Sequence, residues 1–388
     1  MARRRLYPKE GTTSRGEKAL RVFAVLAVCL AFLTVSAYGA VLWFIEPPEV
    51  DRTPIARAPI VAHQADVVEV VQEEEFMDEA GNTIPLPPVS HVEEADWRPG
   101  VYTVLIAGED DGFGGNDVTM VVMFDTYQGQ IDVLSIPRDT IVNVPWGIKK
   151  LNSYQNLHHL LPQNYDHYIY ALRDGVANLI GYQTDFWITL DTDAFVTLVD
   201  AIGGVDFDVP QRMRYSDPCQ NLFIDLHPGM QRLNGLQAEG LVRFRNYATG
   251  DIQRIQTQHA FLAALADQLI SARGILAIDD LIRIFRDNVE TNLTLRNLAF
   301  FATEFLRLDS YNINFHSVDA SLANIADNVN GISYVSLFVE PWVEMLNAHM
   351  NPFTADIRAQ DLEILTRDPQ TRQFFTTNGA PWQNNWAR

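Results

Sequence analysis

Cysteine is almost missing. Cys29 and Cys219 are the only two in 388 residues, and Cys29 lies inside an apolar run. That leaves no internal disulfide framework and no cysteine-rich metal cluster. Positive charge is scarce as well: 29 Lys and Arg stand against 49 Asp and Glu, a formal net charge of −20. A general nucleic-acid binder needs basic surface against phosphate, so that class is excluded. A repeat of solenoid period is also lacking. With 47% hydrophobic and 20% charged residues, most of the chain can build a core, which excludes global disorder.

What is present is unevenly spread. Residues 1–21 hold seven Lys or Arg and two Glu, a net of +5, so everything after them carries −25. Residues 22–45 form 24 consecutive positions without a charge. At 1.5 Å per residue a helix of that length crosses a hydrocarbon core of roughly 30 Å. The run continues through Leu42, Trp43 and Phe44, past the small residues Ala37 to Ala40 where a signal peptide would be cut. The basic flank precedes it. The expectation is an uncleaved anchor in the cell membrane, with a cytoplasmic tail at 1–21 and the acidic bulk outside. Residues 46–99 bring eight prolines and clustered acids, Glu73-Glu74-Glu75 among them, and read as an extended, charged stalk.

From residue 100 the pattern becomes that of a folded domain. Residues 101–107, 118–124 and 130–136 are apolar runs rich in β-branched residues, and the last two are joined by a Tyr-Gln-Gly turn that predicts a hairpin. Helices at 171–180 and 194–202 then alternate with strands at 186–190 and 205–209, the second helix ending at Gly203-Gly204. Leu233-Asn234-Gly235 opens a further helix, 242–245 reads as extended, and 252–270 is a long amphipathic helix. This order implies an α/β (α+β) fold with a central mixed β-sheet flanked by helices on both faces, over about residues 100–345. Residues 346–388 remain as a tail of unassigned role.

Several groups can carry chemistry. Gly108-Glu109-Asp110-Asp111 and Gly114-Gly115-Asn116-Asp117 bracket a glycine-rich connection between two strands. Carboxylates there either converge on a hard cation such as Mg²⁺ or form a solvated loop. Arg138 leaves the third strand beside Asp139, a position suited to a guanidinium fork on phosphate, and Lys150 adds a point charge nearby. In an extended segment Arg243 and Arg245 share one face, and two guanidiniums so placed repel unless an anion lies between them or water separates them. On the long helix, Asp251, Arg254 and Gln258 fall within about 60° of each other on the core-facing side. A charge there is costly without a partner, which is either a structural ion pair or a bound anion.

In this order these motifs, together with Val199-Asp200-Ala201-Ile202-Gly203-Gly204-Val205, resemble the LytR-CpsA-Psr family, over about residues 100–275 and more loosely to 345. The resemblance implies a membrane-anchored, Mg²⁺-dependent phosphotransferase that moves a glycopolymer from a polyprenyl-pyrophosphate carrier to a peptidoglycan hydroxyl. Its partners would be that lipid-linked polymer, peptidoglycan and membrane lipid, with no nucleic acid. By the same resemblance Asp110 and Asp117 would hold Mg²⁺. Arg138, Lys150, Arg243, Arg245, Arg254 and Gln258 would take the pyrophosphate, and Arg138, Asp139, Asp251 and Arg254 would form the catalytic set. Two departures stand out: Gly115-Asn116 and Thr257 occupy places where the family commonly has Arg. They leave room for two other readings, a catalytically weak polyprenyl-phosphate scaffold and a lipid-carrier pyrophosphatase.

Overall fold

The computed structural model describes residues 47–50, 52, 96–109, 116–144, 147–161, 163, 165–220, 222–247, 251–271, 278–308, 312–368, 371 and 373–380. Its centre is a six-stranded sheet. In chain order the strands are β1 (Val101–Glu109), β2 (Asn116–Asp125), β3 (Gln130–Ser135), β4 (Phe186–Leu190), β5 (Glu290–Thr291) and β6 (Ile313–Ser317). In space they lie β5-β4-β1-β2-β3-β6. The β1–β4 and β3–β6 pairs are parallel and the rest antiparallel, so the sheet is mixed. The expected hairpin forms between β2 and β3. Asp125 Oδ1 accepts from the backbone N–H groups of Tyr127 and Gln128, and Gly129 takes the positive φ of 64° that closes the turn.

The longer helices are α1 (Tyr168–Ile180), α2 (Thr192–Ala201), α3 (Gly235–Arg243), α4 (Asp251–Ser271), α5 (Ile278–Asn288), α6 (Leu295–Phe305) and α7 (Val339–His349), and the sheet is covered on one face by α1 and α7 and on the other by α4 and α6. Alternation along the strands sorts the packing. Val101, Leu105, Val121 and Leu134 pack with Leu172 and Ile169 of α1 and with Trp342 and Leu346 of α7. Met120, Phe124, Ile131 and Val133 point the other way, toward Leu262 and Ile270 of α4 and Phe301 and Phe305 of α6. Trp342 is fully buried, and its indole N–H donates to Leu179 O at 2.8 Å, tying α7 to α1.

Beside this sheet a smaller cluster joins α2, α3 and α4 to two short antiparallel pairs, Val205–Val209 with Gly229–Leu233 and Met213–Asp217 with Leu222–Leu226. The α3 helix begins where the sequence says it should. Asn234 caps it by accepting from Gln237 N while the Gln237 side chain returns to Asn234 N. Gly235 is required there, since a Cβ would sit 2.3 Å from Val196 O. The reading of 242–245 as extended is corrected: α3 runs on through Arg243, and only at Phe244 does the backbone turn extended, at φ −64° and ψ 129°.

The expected membrane span, 22–45, lies outside the described residues, and so does most of the expected stalk. Among the described residues no helix is long and apolar enough to cross a membrane. The ends of the stalk segment that are described lie on the domain. Arg52 bridges to Asp185 and Val101 O with its guanidinium over Trp97, and Trp97 pairs with Phe353. The stretch expected as a tail from 346 packs into the core on the α1 face of the sheet through Met350, Ile357, Leu362 and Ile364.

Candidate functional site

The site lies where β2 begins and β3 ends. The antiparallel register of β1 and β2 shifts between Gly108 and Glu109, which opens the sheet just where the connecting loop leaves it. Asn116, opposite Glu109, is fully buried. Its amide nitrogen donates to Thr119 Oγ1 at 2.7 Å, while its Oδ1 has no hydrogen-bond partner among the described residues. Asp117 follows, and two arginines share its carboxylate. Arg138 donates to Oδ1, and Arg245 donates to Oδ2 at 2.6 Å. One guanidinium comes from the segment after β3 and the other from just past α3.

That geometry has local causes. After β3, Ile136 stays in register by donating to Thr119 O, and Thr140 closes a tight turn on Pro137 O. Arg138 therefore projects at the strand end. Asn152 N donates to Arg138 O and Leu151 N to Thr140 O, which pins the Lys149-Lys150-Leu151-Asn152 segment alongside. Lys150 Nζ then reaches Asp139 Oδ1 at 3.0 Å, while the Arg138 Nε lies 4.0 Å from the same oxygen. Asp117, Arg138, Asp139, Lys150 and Arg245 are thus brought together.

The remaining arginines play less uniform parts. Arg243, in the last turn of α3, bonds Glu239 at 2.7 Å one turn earlier. It does not share a strand face with Arg245. Gln258 of α4 donates to Val242 O at 2.9 Å, so its amide fixes the end of α3 on which Arg243 sits. That contact positions the helix end that carries Arg243. Arg254 is only 5% exposed, and its positive charge acts on the Tyr247 phenol, which burial nevertheless pushes above its ordinary pKa. Tyr247 donates to Thr257 Oγ1 at 3.1 Å, and Thr257 in turn donates to Gln253 O. The threonine standing where the family commonly has Arg therefore locks the segment that carries Arg245. Asp110 lies outside the described residues. Asp251 opens α4, but its side chain is outside them too.

Arg138, Arg245 and Lys150 thus gather at the carboxylates of Asp117 and Asp139, while Arg243 is held by Glu239 on α3. Guanidiniums from separate segments that meet at one carboxylate stand where an anionic ligand could be gripped by both. The donor chemistry also fits a hard cation. The Asp117 carboxylate has lone pairs beyond those the arginines use.

Sequence reasoning missed one pair beside the site. Ser135, the last residue of β3, has its Oγ 2.7 Å from His259 Nε2. Burial pushes the His259 pKa down to about 4, helped by His316, so the imidazole is neutral at pH 7. The signal available was the position of His259, directly after Gln258 on a helix whose inner face was already identified.

The model of the LytR_cpsA_psr family matches residues 77–350. The probable cell wall biosynthesis protein LcpB of Corynebacterium glutamicum is 34% identical over 175 residues, 44% of this chain and 38% of that protein. The crystal structure of TagV from Bacillus subtilis superposes with a TM-score of 0.54 at 25% identity, covering 66% of this chain and all of that one. The structure of TagT bound to LIIa-WTA has the same fold, with a TM-score of 0.51 at 22% identity over 69% of this chain and 96% of that one. The chain aligns with between 38% and 58% of the length of the curated relatives it matches.

Proposed function

The chain belongs to the LytR-CpsA-Psr family, and on that premise we propose that it is a phosphotransferase of cell-wall assembly. The substrate is a glycopolymer on a polyprenyl-pyrophosphate carrier, and the acceptor is a hydroxyl of peptidoglycan. The reading draws support from the family, from the cell-wall assignment of LcpB, and from TagT having been solved bound to LIIa-WTA. The observation that carries it is the pairing of Arg138 and Arg245 on Asp117. Two guanidiniums from separate segments are held ready by one carboxylate, and a pyrophosphate replaces that carboxylate with a ligand of more than one charge.

In the reaction the acceptor oxygen attacks the phosphorus that bears the sugar. The P–O bond to the lipid-side phosphate breaks, polyprenyl phosphate leaves, and the acceptor proton passes to solvent or a nearby base. The bridging and non-bridging oxygens gain charge as this happens. Arg138 and Arg245 take two of those oxygens, Lys150 supports Arg138 through Asp139, and Gln258 holds the backbone that presents Arg243. Phosphoryl transfer asks little covalent chemistry of the protein, so fixed positive charge in a partly desolvated site does most of the work. Asp117, with Asp110, would hold Mg²⁺, which supplies further neutralisation of the pyrophosphate. The isoprenoid chain would lie along the apolar layer between the sheet and helices α4 and α6, where Leu262, Phe301 and Phe305 are only partly buried. The basic flank at 1–21 and the charge-free run at 22–45 support a localisation in which the N-terminus would be cytoplasmic and the folded domain outside the membrane.

The test is to incubate the purified protein with a lipid-linked oligosaccharide, Mg²⁺ and peptidoglycan fragments. Covalent polymer on the fragments supports the transferase. Free polymer phosphate alone makes it a pyrophosphatase, and tight binding without turnover makes it a scaffold.

A further inference from the structure

A second cluster of ligating side chains lies on the other part of β3, before Ser135. Asp132 is almost fully buried on that strand. In the parallel pairing with β6, Asn314 stands opposite Asp132 and His316 opposite Leu134, so Asp132 and His316 share one face of the sheet. His316 Nε2 lies 2.8 Å from Asp132 Oδ1. From above, the last residue of α7 brings its ring in: His349 lies 4.3 Å, centroid to centroid, from His316 at an interplanar angle of 25°. One ligating atom from each of the three residues lies within 4.8 Å of the other two.

The ordinary account of such a cluster is a buried histidine–carboxylate hydrogen bond with a third residue stacked on it. Two features go beyond that account. No hydrogen bond from the described residues reaches the His349 ring, although it ends a helix directly over a buried carboxylate. Moreover, Asp132 is oriented from outside the cluster, its Oδ2 accepting from Gln130 Nε2 at 2.6 Å and its carboxylate also from the Asn314 side chain. A ligating group fixed by surrounding hydrogen bonds is what a metal centre uses.

We propose that Asp132, His316 and His349 form a binding site for a zinc-type transition-metal dication, contributed by two parallel strands and the C-terminal turn of α7. Two imidazoles and one carboxylate favour zinc, nickel or copper over magnesium or calcium, which take oxygen. Ligand bonds of about 2.0–2.2 Å place donors roughly 3.4 Å apart around a tetrahedral ion. The present spacing closes to that when the exposed His349 ring rotates out of the stack, and water completes the coordination. The bound ion would clamp the edge strand β6 and helix α7 to β3. This site uses none of the residues assigned to phosphate, so it stands or falls independently of the proposed transferase activity.

The experiment uses the untagged full chain, stripped with chelator and dialysed, then titrated with ZnCl₂ by calorimetry and with CoCl₂ by visible absorption. The expected result is one zinc per chain, a melting temperature raised by zinc, and a visible cobalt band from nitrogen-rich low-symmetry coordination. His349→Ala, an exposed position that leaves the fold alone, should weaken zinc binding at least tenfold and abolish both the band and the thermal shift. His316→Gln should do the same. His159→Ala, a control at an exposed histidine outside the cluster, should change neither. Absence of zinc binding at millimolar concentration, or undiminished binding and cobalt absorption in His349→Ala, would overturn the proposal.

Discussion

Replacing Arg245 by Ala separates a ligand clamp from a structural ion pair, because the two roles give opposite patterns. Arg245 has a side chain 49% exposed and bonds Asp117, itself 27% exposed, at 2.6 Å. An ion pair open to water on both sides contributes about 0.2–1 kcal/mol, since solvent screens it and two side chains lose freedom to make it. Arg138 also remains on Asp117 after the substitution, so the carboxylate is not orphaned. The empty Arg245→Ala protein should therefore melt within about 2–4 °C of the wild type. Binding is another matter. A guanidinium on a pyrophosphate oxygen is a charge-assisted bond worth about 1.5–3 kcal/mol, which is roughly a tenfold to hundredfold change in affinity. Arg254→Ala makes the contrast. That side chain is almost fully buried on α4, and its loss leaves a gap in a packed layer, at a cost of roughly 0.5–3 kcal/mol to the empty protein. The assay is a set of melting curves for wild type, Arg245→Ala and Arg254→Ala, with and without polyprenyl pyrophosphate. Ligand should raise the wild-type melting temperature by several degrees and that of Arg245→Ala far less. An equal ligand-induced rise in both refutes the clamp.

The neutral His259 makes stability depend on acid. Its folded pKa, about 4, lies below the unfolded value of about 6.5, so the unfolded chain binds more protons as pH falls through that window. Stability should fall between those pH values by roughly 2 kcal/mol after allowing for partial exposure, and His259→Asn should flatten that part of the melting profile. Gly235→Ala forces a methyl to within 2.3 Å of Val196 O and should cost about 1–3 kcal/mol by chemical denaturation. A normal unfolding midpoint would show that α2 and α3 separate freely. A reporter fused after residue 100 should be exported while the N-terminus stays protected from external protease, and a soluble product starting near residue 41 would remove the anchor.

Local patterns carried most of the fold into view, and long-range pairing carried the rest out of it. The β2–β3 hairpin, the stop at Gly203-Gly204 and the Asn234 start are short-range matters of turn and cap, and each is where the residues put it. The misreading at 242–245 has a specific source. Val-Arg-Phe-Arg alternates as a strand would, but the capping box opened by Asn234 commits the chain to a helix that runs through Arg243. At the site, sequence identified which side chains carry charge and left open which would face each other. Asp117 was legible as a strand-end carboxylate, but its two arginines lie 21 and 128 residues away. The pairing of Asp132 with His316, 184 residues apart, depends on β6 adding in parallel to the sheet edge, and no local motif announces it. The docking of Arg52 on Asp185 was hidden for the same reason, inside a segment whose prolines and acids read as free stalk.

The central claim is that the phosphorus bearing the sugar moves with the polymer to a peptidoglycan hydroxyl. A carrier labelled with ³²P at that phosphorus tests it directly, with peptidoglycan fragments as acceptor and products separated by size and by phosphodiesterase sensitivity. The account predicts label in a phosphodiester on the fragment, unlabelled polyprenyl phosphate released in equal amount, and little transfer by Arg138→Ala. Label that stays on the lipid while polymer reaches the fragment, or that appears only as free polymer phosphate, contradicts it.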